Sequence, residues 1–175
     1  MSGQKFSFII FLFLFSFLTI KAQVQYEISK DPKHPEVKVL KGIINKSLIE
    51  NDTSFNWYNS SKTIYYPDSS IVNSFKKVKD SFEFVLFGGT WCDDTQFILP
   101  KFFRLQELAG IDDSLITFFG VDRDKKTLGH IAEAFGITNV PTIIIMKNGK
   151  ELGRVVEYGK TGKWDKELAD IINAN

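Results

Sequence analysis

Cysteine and histidine are scarce in this sequence. The 175 residues include one cysteine, Cys92, and two histidines, His34 and His130. A single thiol excludes any intramolecular disulfide, so the hydrophobic core must hold the fold. Zinc sites combine several Cys and His ligands at short spacings, and these three residues stand far apart along the chain. We therefore expect neither a bound metal nor another cofactor.

An excess of charge of either sign is also lacking. The chain carries 22 Lys and Arg against 21 Asp and Glu, for a formal net charge of +1. Proteins that bind nucleic acid usually concentrate Lys and Arg on one surface, and the balanced charge of this sequence predicts no such positive surface. A nucleic-acid partner is therefore not expected.

One long hydrophobic run stands at the start of the chain. Residues 6–20 are almost uninterrupted apolar side chains after Lys5, and Ala22 is a small residue at a suitable cleavage position. The run is shorter than the roughly 20 residues that span a bilayer, and its length is typical of a signal peptide. We expect residues 1–22 to be removed during export to the periplasm or cell envelope. Association with a membrane is expected only if the segment stays uncleaved.

The rest of the chain predicts an extension followed by alternating helices and strands. Residues 23–68 are rich in aromatic side chains and contain a short alternating stretch near Val37, so we interpret them as an ordered extension packed on the main domain. Beyond them, apolar periodicity, glycines and an Asn-Gly turn predict eight elements. The predicted helices are 69–79, 93–109, 127–135 and 164–172, and the predicted strands are 82–87, 115–121, 142–146 and 151–156.

This element order predicts an α/β fold. Strands separated by helices run parallel through crossover connections, whereas the hairpin at Asn148-Gly149 adds an antiparallel edge. The expected architecture has three layers, with a mixed sheet covered by helices on both faces.

Several motifs then coincide with a known pattern. Trp91-Cys92 follows a buried strand, Pro100 lies eight residues after the cysteine, and the segment FGITNVPT ends at Pro141-Thr142 before the hairpin. Together these residues, spread over 69–172, resemble the thioredoxin family. The resemblance implies a thioredoxin-like domain at 69–175 and thiol–disulfide chemistry. The cysteine context and the extension are similar to exported thioredoxin-like proteins of bacteria such as the Bacteroidetes.

The sequence departs from that family at the residues that complete its reaction. The Cys-x-x-Cys motif is replaced by Cys92-Asp93-Asp94-Thr95, so no resolving thiol is present. The resemblance also places a buried acid where this chain has Leu86, and a lysine where it has Phe118. All three departures are consistent with the loss of the resolving step.

The candidate catalytic residues are Cys92 and Thr95. Cys92 precedes a predicted helix, whose unpaired backbone N–H groups and dipole favour a thiolate, and the Thr95 hydroxyl could be directed at the sulfur. The carboxylates of Asp93 and Asp94 oppose the thiolate while stabilising the helix start. The alternative is that the two acids only cap the helix and Cys92 is inert.

The candidate substrate-binding residues are Trp91, Val140 and Pro141. The resemblance implies a cis peptide at Val140–Pro141 beside the cysteine, with the Val140 backbone open to an extended substrate strand. Trp91 is expected to shield the thiol on one side. A plain turn proline and ordinary packing of Trp91 are the competing interpretations.

Three functional hypotheses remain open from the sequence. The first is a monothiol redox protein that forms mixed disulfides through Cys92 with a protein or small thiol and needs an external thiol for release, which would make it a thiol–disulfide oxidoreductase of monothiol type. The second is a non-redox module that binds peptides or proteins in the groove at Pro141. A structural or folding-accessory role in the envelope is a third hypothesis. A one-cysteine peroxidase is disfavoured because Gly89 stands where peroxiredoxins have a threonine.

Overall fold

The computed structural model describes residues 25–175. The predicted signal peptide at 1–22 therefore lies outside the described residues. Within 25–175, no helix is both long enough and apolar enough to cross a membrane. The strands are β1 (Tyr26–Lys30), β2 (Lys38–Ile44), β3 (Glu83–Gly88), β4 (Ile116–Gly120), β5 (Thr142–Lys147) and β6 (Lys150–Val156). The α-helices are α1 (Lys46–Glu50), α2 (Trp57–Thr63), α3 (Ser69–Lys77), α4 (Asp93–Ala109), α5 (Ile131–Ala134) and α6 (Trp164–Asn173).

The six strands form one mixed sheet in the order β1-β2-β4-β3-β5-β6. The central pair, β3 and β4, is parallel and places Leu86 opposite Phe118. The remaining neighbours are antiparallel, including the β5–β6 hairpin around Asn148 and Gly149. Both turn residues have positive φ, as an Asn-Gly hairpin turn requires. The predicted mixed sheet is confirmed.

The strands divide their side chains between the two faces, because successive residues of a strand point to opposite sides. On one face, Phe84 and Leu86 join a large core with side chains of α3, α4 and α6. On the other face, Phe87 and Phe119 form a smaller cluster with Ala132 of α5. Helices therefore cover both faces of the sheet, as predicted.

Two strands of the sheet come from the segment before α3. Strand β2 pairs with β4, and β1 then pairs with β2 as the edge strand. Helix α2 of the same segment packs against α4, where Tyr58 lies beside Phe103 with ring centroids 6.3 Å apart. Residues 26–63 thus share both the sheet and the core of the rest of the chain.

Helix α4 begins and ends where the sequence predicts. Its N-cap is Cys92, and Gly110 ends it with a φ of 71°, a conformation that favours glycine. The helix continues through Pro100. Because one side of its length faces the sheet, Phe102 and Leu105 are fully buried.

One local prediction was wrong. The predicted helix 127–135 is a 3₁₀ turn followed by the single α-helical turn α5, because Gly129 and His130 both adopt positive φ and break the helix.

The Phe102→Ala variant tests the α4 contact. Phe102 is 0% exposed, and we expect its truncation to lower the free energy of unfolding by about 3–5 kcal/mol through lost burial and a cavity. Phe97→Ala is the matched control on the same helix, because that ring is 43% exposed, and it should cost less than about 1 kcal/mol. Urea unfolding measures both, and equal losses would contradict the packing described.

Candidate active site

Cys92 lies at the junction of β3 and α4. After β3 ends at Gly88, the chain turns so that the Cys92 amide donates to the Gly89 carbonyl at 2.9 Å. Cys92 has an extended conformation, and the next residue, Asp93, starts the helix. The thiol is partly exposed, and its side chain makes no capping bond to the first turn. The first-turn amides and the helix dipole therefore adjoin an accessible sulfur.

The loop before β5 lies against the sulfur. The Val140–Pro141 peptide is cis, and Cys92 Sγ donates to the Val140 carbonyl oxygen at 3.3 Å. That bond needs the thiol proton, so it belongs to the protonated form of Cys92. The fold thus brings together two predicted site segments that are 48 positions apart in the sequence.

Trp91 is held at both its edge and its face. Its Nε1–H donates to the Val121 carbonyl at 2.9 Å, and the guanidinium of Arg123 lies 4.8 Å from the ring centroid. The ring also lies close to the chain at Gly89, where an added Cβ would come within 2.6 Å of the indole. A side chain at position 89 would therefore displace Trp91.

Thr95 has a different contact from the one predicted. Its side chain is 1% exposed, and its hydroxyl accepts a hydrogen bond from the Gly89 amide at 3.2 Å. A buried hydroxyl needs a polar partner, and this amide provides it. The sulfur's hydrogen bond within residues 25–175 goes to Val140 and not to Thr95. Thr95 therefore supports the loop that carries Cys92 instead of contacting the thiol.

Asp93 and Asp94 occupy the first turn of α4, as predicted. Sequence reasoning missed the neighbour of this turn, Tyr158. Partial burial and the nearby Asp94 carboxylate raise the pKa of the Tyr158 phenol. Its ring centroid also lies 5.9 Å from that of Phe97.

A signal for Tyr158 was present in the hairpin. The turn at Asn148-Gly149 pairs Thr142 with Val156, and the Glu157 amide then donates to the Pro141 carbonyl at 2.7 Å. Counting the register from that turn places Val156 opposite Pro141, and the bulge between Ile145 and Met146 shifts the partner by one residue to Glu157, next to Tyr158.

At two core positions where the family pattern has an acid and a lysine, this chain has the uncharged residues Leu86 and Phe118. Leu86 is 0% exposed and Phe118 is 2% exposed, and they are direct neighbours in the parallel strand pair. The ring of Phe118 also lies within 3.1 Å of where a Cβ on Gly88 would stand. The sheet below the active-site loop is therefore apolar at both positions.

The segment before α3 forms one wall of a cleft beside the thiol. The cleft has a volume of about 670 Å³. Its β1–β2 wall consists of residues from the loop between those strands, and its other wall is the start of α4 with Trp91 and Arg123. The residues that line it are His34, Glu36, Val37, Trp91, Cys92, Asp93, Asp94, Gln96 and Arg123.

Two ion pairs join this segment to the loop after β4. Arg123 donates to the buried Asp31 carboxylate, with Nε 2.8 Å from both oxygens, and this bond lowers the pKa of Asp31 from 3.8 to about 2. Lys41 Nζ lies 2.7 Å from the Asp122 carboxylate. Burial alone would raise the pKa of Asp122, but hydrogen bonds from Lys41 and from the backbone outweigh it, and the net pKa is lowered. Sequence reasoning found neither pair.

Within residues 25–175, no group of three or more His, Cys, Asp and Glu side chains is arranged to hold a metal ion.

Comparison with known families matches this arrangement. The thioredoxin family model covers residues 69–173, more than half of the chain and including every element from α3 to α6. The chain belongs to the thioredoxin family. As a member of this family, it is a thioredoxin-like redox protein.

Individual proteins are also similar to this chain. The thioredoxin of Echinococcus granulosus is 33% identical over 89 residues, covering 51% of this chain and 73% of the relative. Thioredoxin H2-2 of Oryza sativa subsp. japonica is 36% identical over 70 residues, covering 40% of this chain and 48% of the relative. The thioredoxin of Listeria monocytogenes is 29% identical over 87 residues, covering 50% and 76%. Among solved structures, the crystal structure of an HIV epitope-scaffold covers 74% of this chain and 91% of that chain, at 15% identity and a TM-score of 0.49.

The Asp31 ion pair predicts a pH dependence of stability. Because its folded pKa of about 2 lies below 3.8, Asp31 stabilises the fold above the unfolded value, and that contribution is lost as pH falls through the folded value. We expect Asp31→Asn to be less stable than wild type near neutral pH and to lose less stability between about pH 5 and pH 2. Urea midpoints across this range measure the slopes.

The matched control for that measurement is Asp80→Asn. The Asp80 carboxylate is 84% exposed, so this variant should keep the wild-type slope. If Asp31→Asn also kept the wild-type slope, the stabilising role of the ion pair would be contradicted.

Proposed function

We propose that this protein is a monothiol thioredoxin-like redox protein that captures disulfides through Cys92. The observation that carries the proposal is the sequence's one thiol, partly exposed at the N-cap of α4 and lining a cleft large enough for a peptide segment or a small disulfide. Its substrates would be disulfide- or thiol-containing proteins or small thiols.

The reaction follows from ordinary thiol–disulfide exchange. The Cys92 thiolate attacks one sulfur of a substrate disulfide, a Cys92–substrate disulfide forms, and the substrate's second sulfur leaves as a thiolate that takes a proton from water. An external thiolate then attacks the mixed disulfide and regenerates Cys92. One disulfide is consumed and one is formed at each step, so the electrons balance.

Surrounding residues would affect the first step, some by favouring it and some by opposing it. Ionisation of Cys92 breaks its hydrogen bond to Val140 and leaves that carbonyl to a substrate backbone amide, as in strand addition. The amides and dipole at the start of α4 favour the thiolate, and the carboxylates of Asp93 and Asp94 oppose it.

Release within one chain would need a second thiol, and the sequence has none. Thr95 stands where the family has the resolving cysteine, and its hydroxyl is bonded to Gly89. The apolar pair Leu86 and Phe118 supplies no acid or base to assist that step. These features support an intermediate that persists until an external thiol arrives.

A non-redox peptide-binding module is the second candidate. The observation that favours it is an apolar surface near Pro141, where Phe97 is 43% exposed and Val156 and Tyr158 are each 37% exposed. Exposed aromatic side chains of this kind are common in protein-binding surfaces.

A comparison of partner capture by wild type and by Cys92→Ser separates the two functions. The monothiol proposal expects wild type to recover partners that run as a higher band on non-reducing gels, and Cys92→Ser to lose that band entirely because no thiol remains. Phe97→Ser is the matched variant that keeps the thiol and should retain the band. If wild type and Cys92→Ser recovered equal amounts of partner while Phe97→Ser recovered less, the binding module would replace the redox proposal.

We also infer that the protein is exported after removal of residues 1–22. The hydrophobic run and Ala22 support this inference, with residues 23–68 then forming the extension and 69–175 the thioredoxin-like domain. In a bacterial host, the intact mass of the protein from the periplasm should correspond to a chain that begins near Gln23. A full-length mass in a membrane fraction would point instead to an uncleaved anchor.

A further inference from the structure

A buried carboxylate from the β1–β2 loop is connected to the thiol through two side chains. Asp31 has a side chain that is 0% exposed. Arg123 approaches it side-on, with Nε at 2.8 Å from both oxygens and Nη2 at 2.6 Å from Oδ2. Such a fork fixes the plane of the guanidinium as well as its position.

The orientation of Arg123 matters because its guanidinium covers Trp91. The guanidinium carbon lies 4.8 Å from the indole centroid, within the range of a cation–π contact. The indole Nε1 is bonded to Val121 on its edge. Trp91 precedes Cys92 in the chain, and the three side chains of Trp91, Cys92 and Arg123 line one cleft.

Asp31 also organises the opposite wall. Its Oδ1 accepts hydrogen bonds from the amides of Lys33 at 2.7 Å and His34 at 3.3 Å. Its own amide donates to the Val37 carbonyl at 2.9 Å. The loop that presents His34, Glu36 and Val37 to the cleft is therefore closed around the same carboxylate that holds Arg123.

We propose that Asp31 is a positioning residue for the chemistry of Cys92, acting through Arg123 to hold Trp91 and through its backbone contacts to hold the His34–Val37 loop as the two walls that receive the disulfide substrate. This inference rests on the proposed function. It assigns a role in the active site to a residue outside the segment matched by the thioredoxin family model, residues 69–173.

The test compares Asp31→Asn and Arg123→Gln with a matched control, Asp52→Asn. Asparagine is nearly isosteric and keeps an oxygen for the Lys33 and His34 amides, but it lacks the charge that holds Arg123. Asp52 also makes an ion pair, 2.6 Å from Lys38, in the same part of the chain, and neither of these two residues lines the cleft.

The first measurement is the rate of mixed-disulfide formation with a neutral probe, the symmetric disulfide of a blocked Ala-Cys-Ala peptide, beside the rate of alkylation by iodoacetamide. Loss of a partly desolvated cation–π contact and its charged partner should slow the peptide disulfide about tenfold in Asp31→Asn and Arg123→Gln. Iodoacetamide is small and does not need the walls, so its rate should change less than about twofold. Asp52→Asn should match wild type with both reagents.

A double-mutant cycle separates positioning from a general structural effect. If Asp31 acts through Arg123, the double variant is no slower than Arg123→Gln alone, because the second change removes a contact already lost. Rates that multiply in full, or an Asp31→Asn rate equal to that of Asp52→Asn, would overturn the proposal. If circular dichroism shows Arg123→Gln to be unfolded, Arg123→Lys takes its place, since lysine keeps the charge without the fork.

An NMR measurement keeps this inference distinct from the proposed function. The indole N–H resonance of Trp91, assigned with Trp91→Phe, should shift in Asp31→Asn and Arg123→Gln and stay in place in Asp52→Asn. If wild-type Cys92 reacts with iodoacetamide but not with the peptide disulfide, the redox proposal fails. The indole shifts then decide by themselves whether Asp31 positions Trp91, and unchanged shifts would overturn it.

Discussion

The contact between helix α4 and the sheet is the interaction on which the site depends. One side of α4 is buried along its length, with Ile98, Phe102 and Leu105 each 0% exposed. The helix begins directly after the loop that follows the central strand β3, so the packing of α4 and β3 together places the N-cap residue. Cys92 occupies that N-cap. The hydrophobic effect, acting on residues that take no part in chemistry, therefore sets where the thiol stands.

The same core explains why this site differs from a two-thiol one. Leu86 and Phe118 lie side by side on the parallel strand pair, and Thr95 is buried against the loop above them. A charged acid among these side chains would have to be desolvated without a partner, which is costly. The apolar core and the single thiol are thus mutually consistent, and the proposed capture of a disulfide without internal release rests on both.

The segment before α3 contributes to the site as well as to the sheet. Its residues form ion pairs with two consecutive residues of the loop after β4: Lys41 pairs with Asp122, and Asp31 pairs with Arg123. Arg123 in turn covers Trp91 beside the thiol. The thioredoxin match at 69–173 contains Cys92 and the cis-proline loop, while one wall of the cleft comes from residues 34–37.

The sequence by itself determined the elements whose signals are local: α4 between Cys92 and Gly110, the hairpin at Asn148-Gly149, the short apolar strand β3, and the presence of one thiol. It misjudged the helix before Phe135, where Gly129 and His130 take positive φ that apolar periodicity does not report. Only the tertiary structure decided that Thr95 bonds to Gly89 and that Asp31 meets Arg123 from 92 positions away. Propensity and periodicity act over a few residues, whereas these contacts arise when the sheet order brings distant loops to one edge.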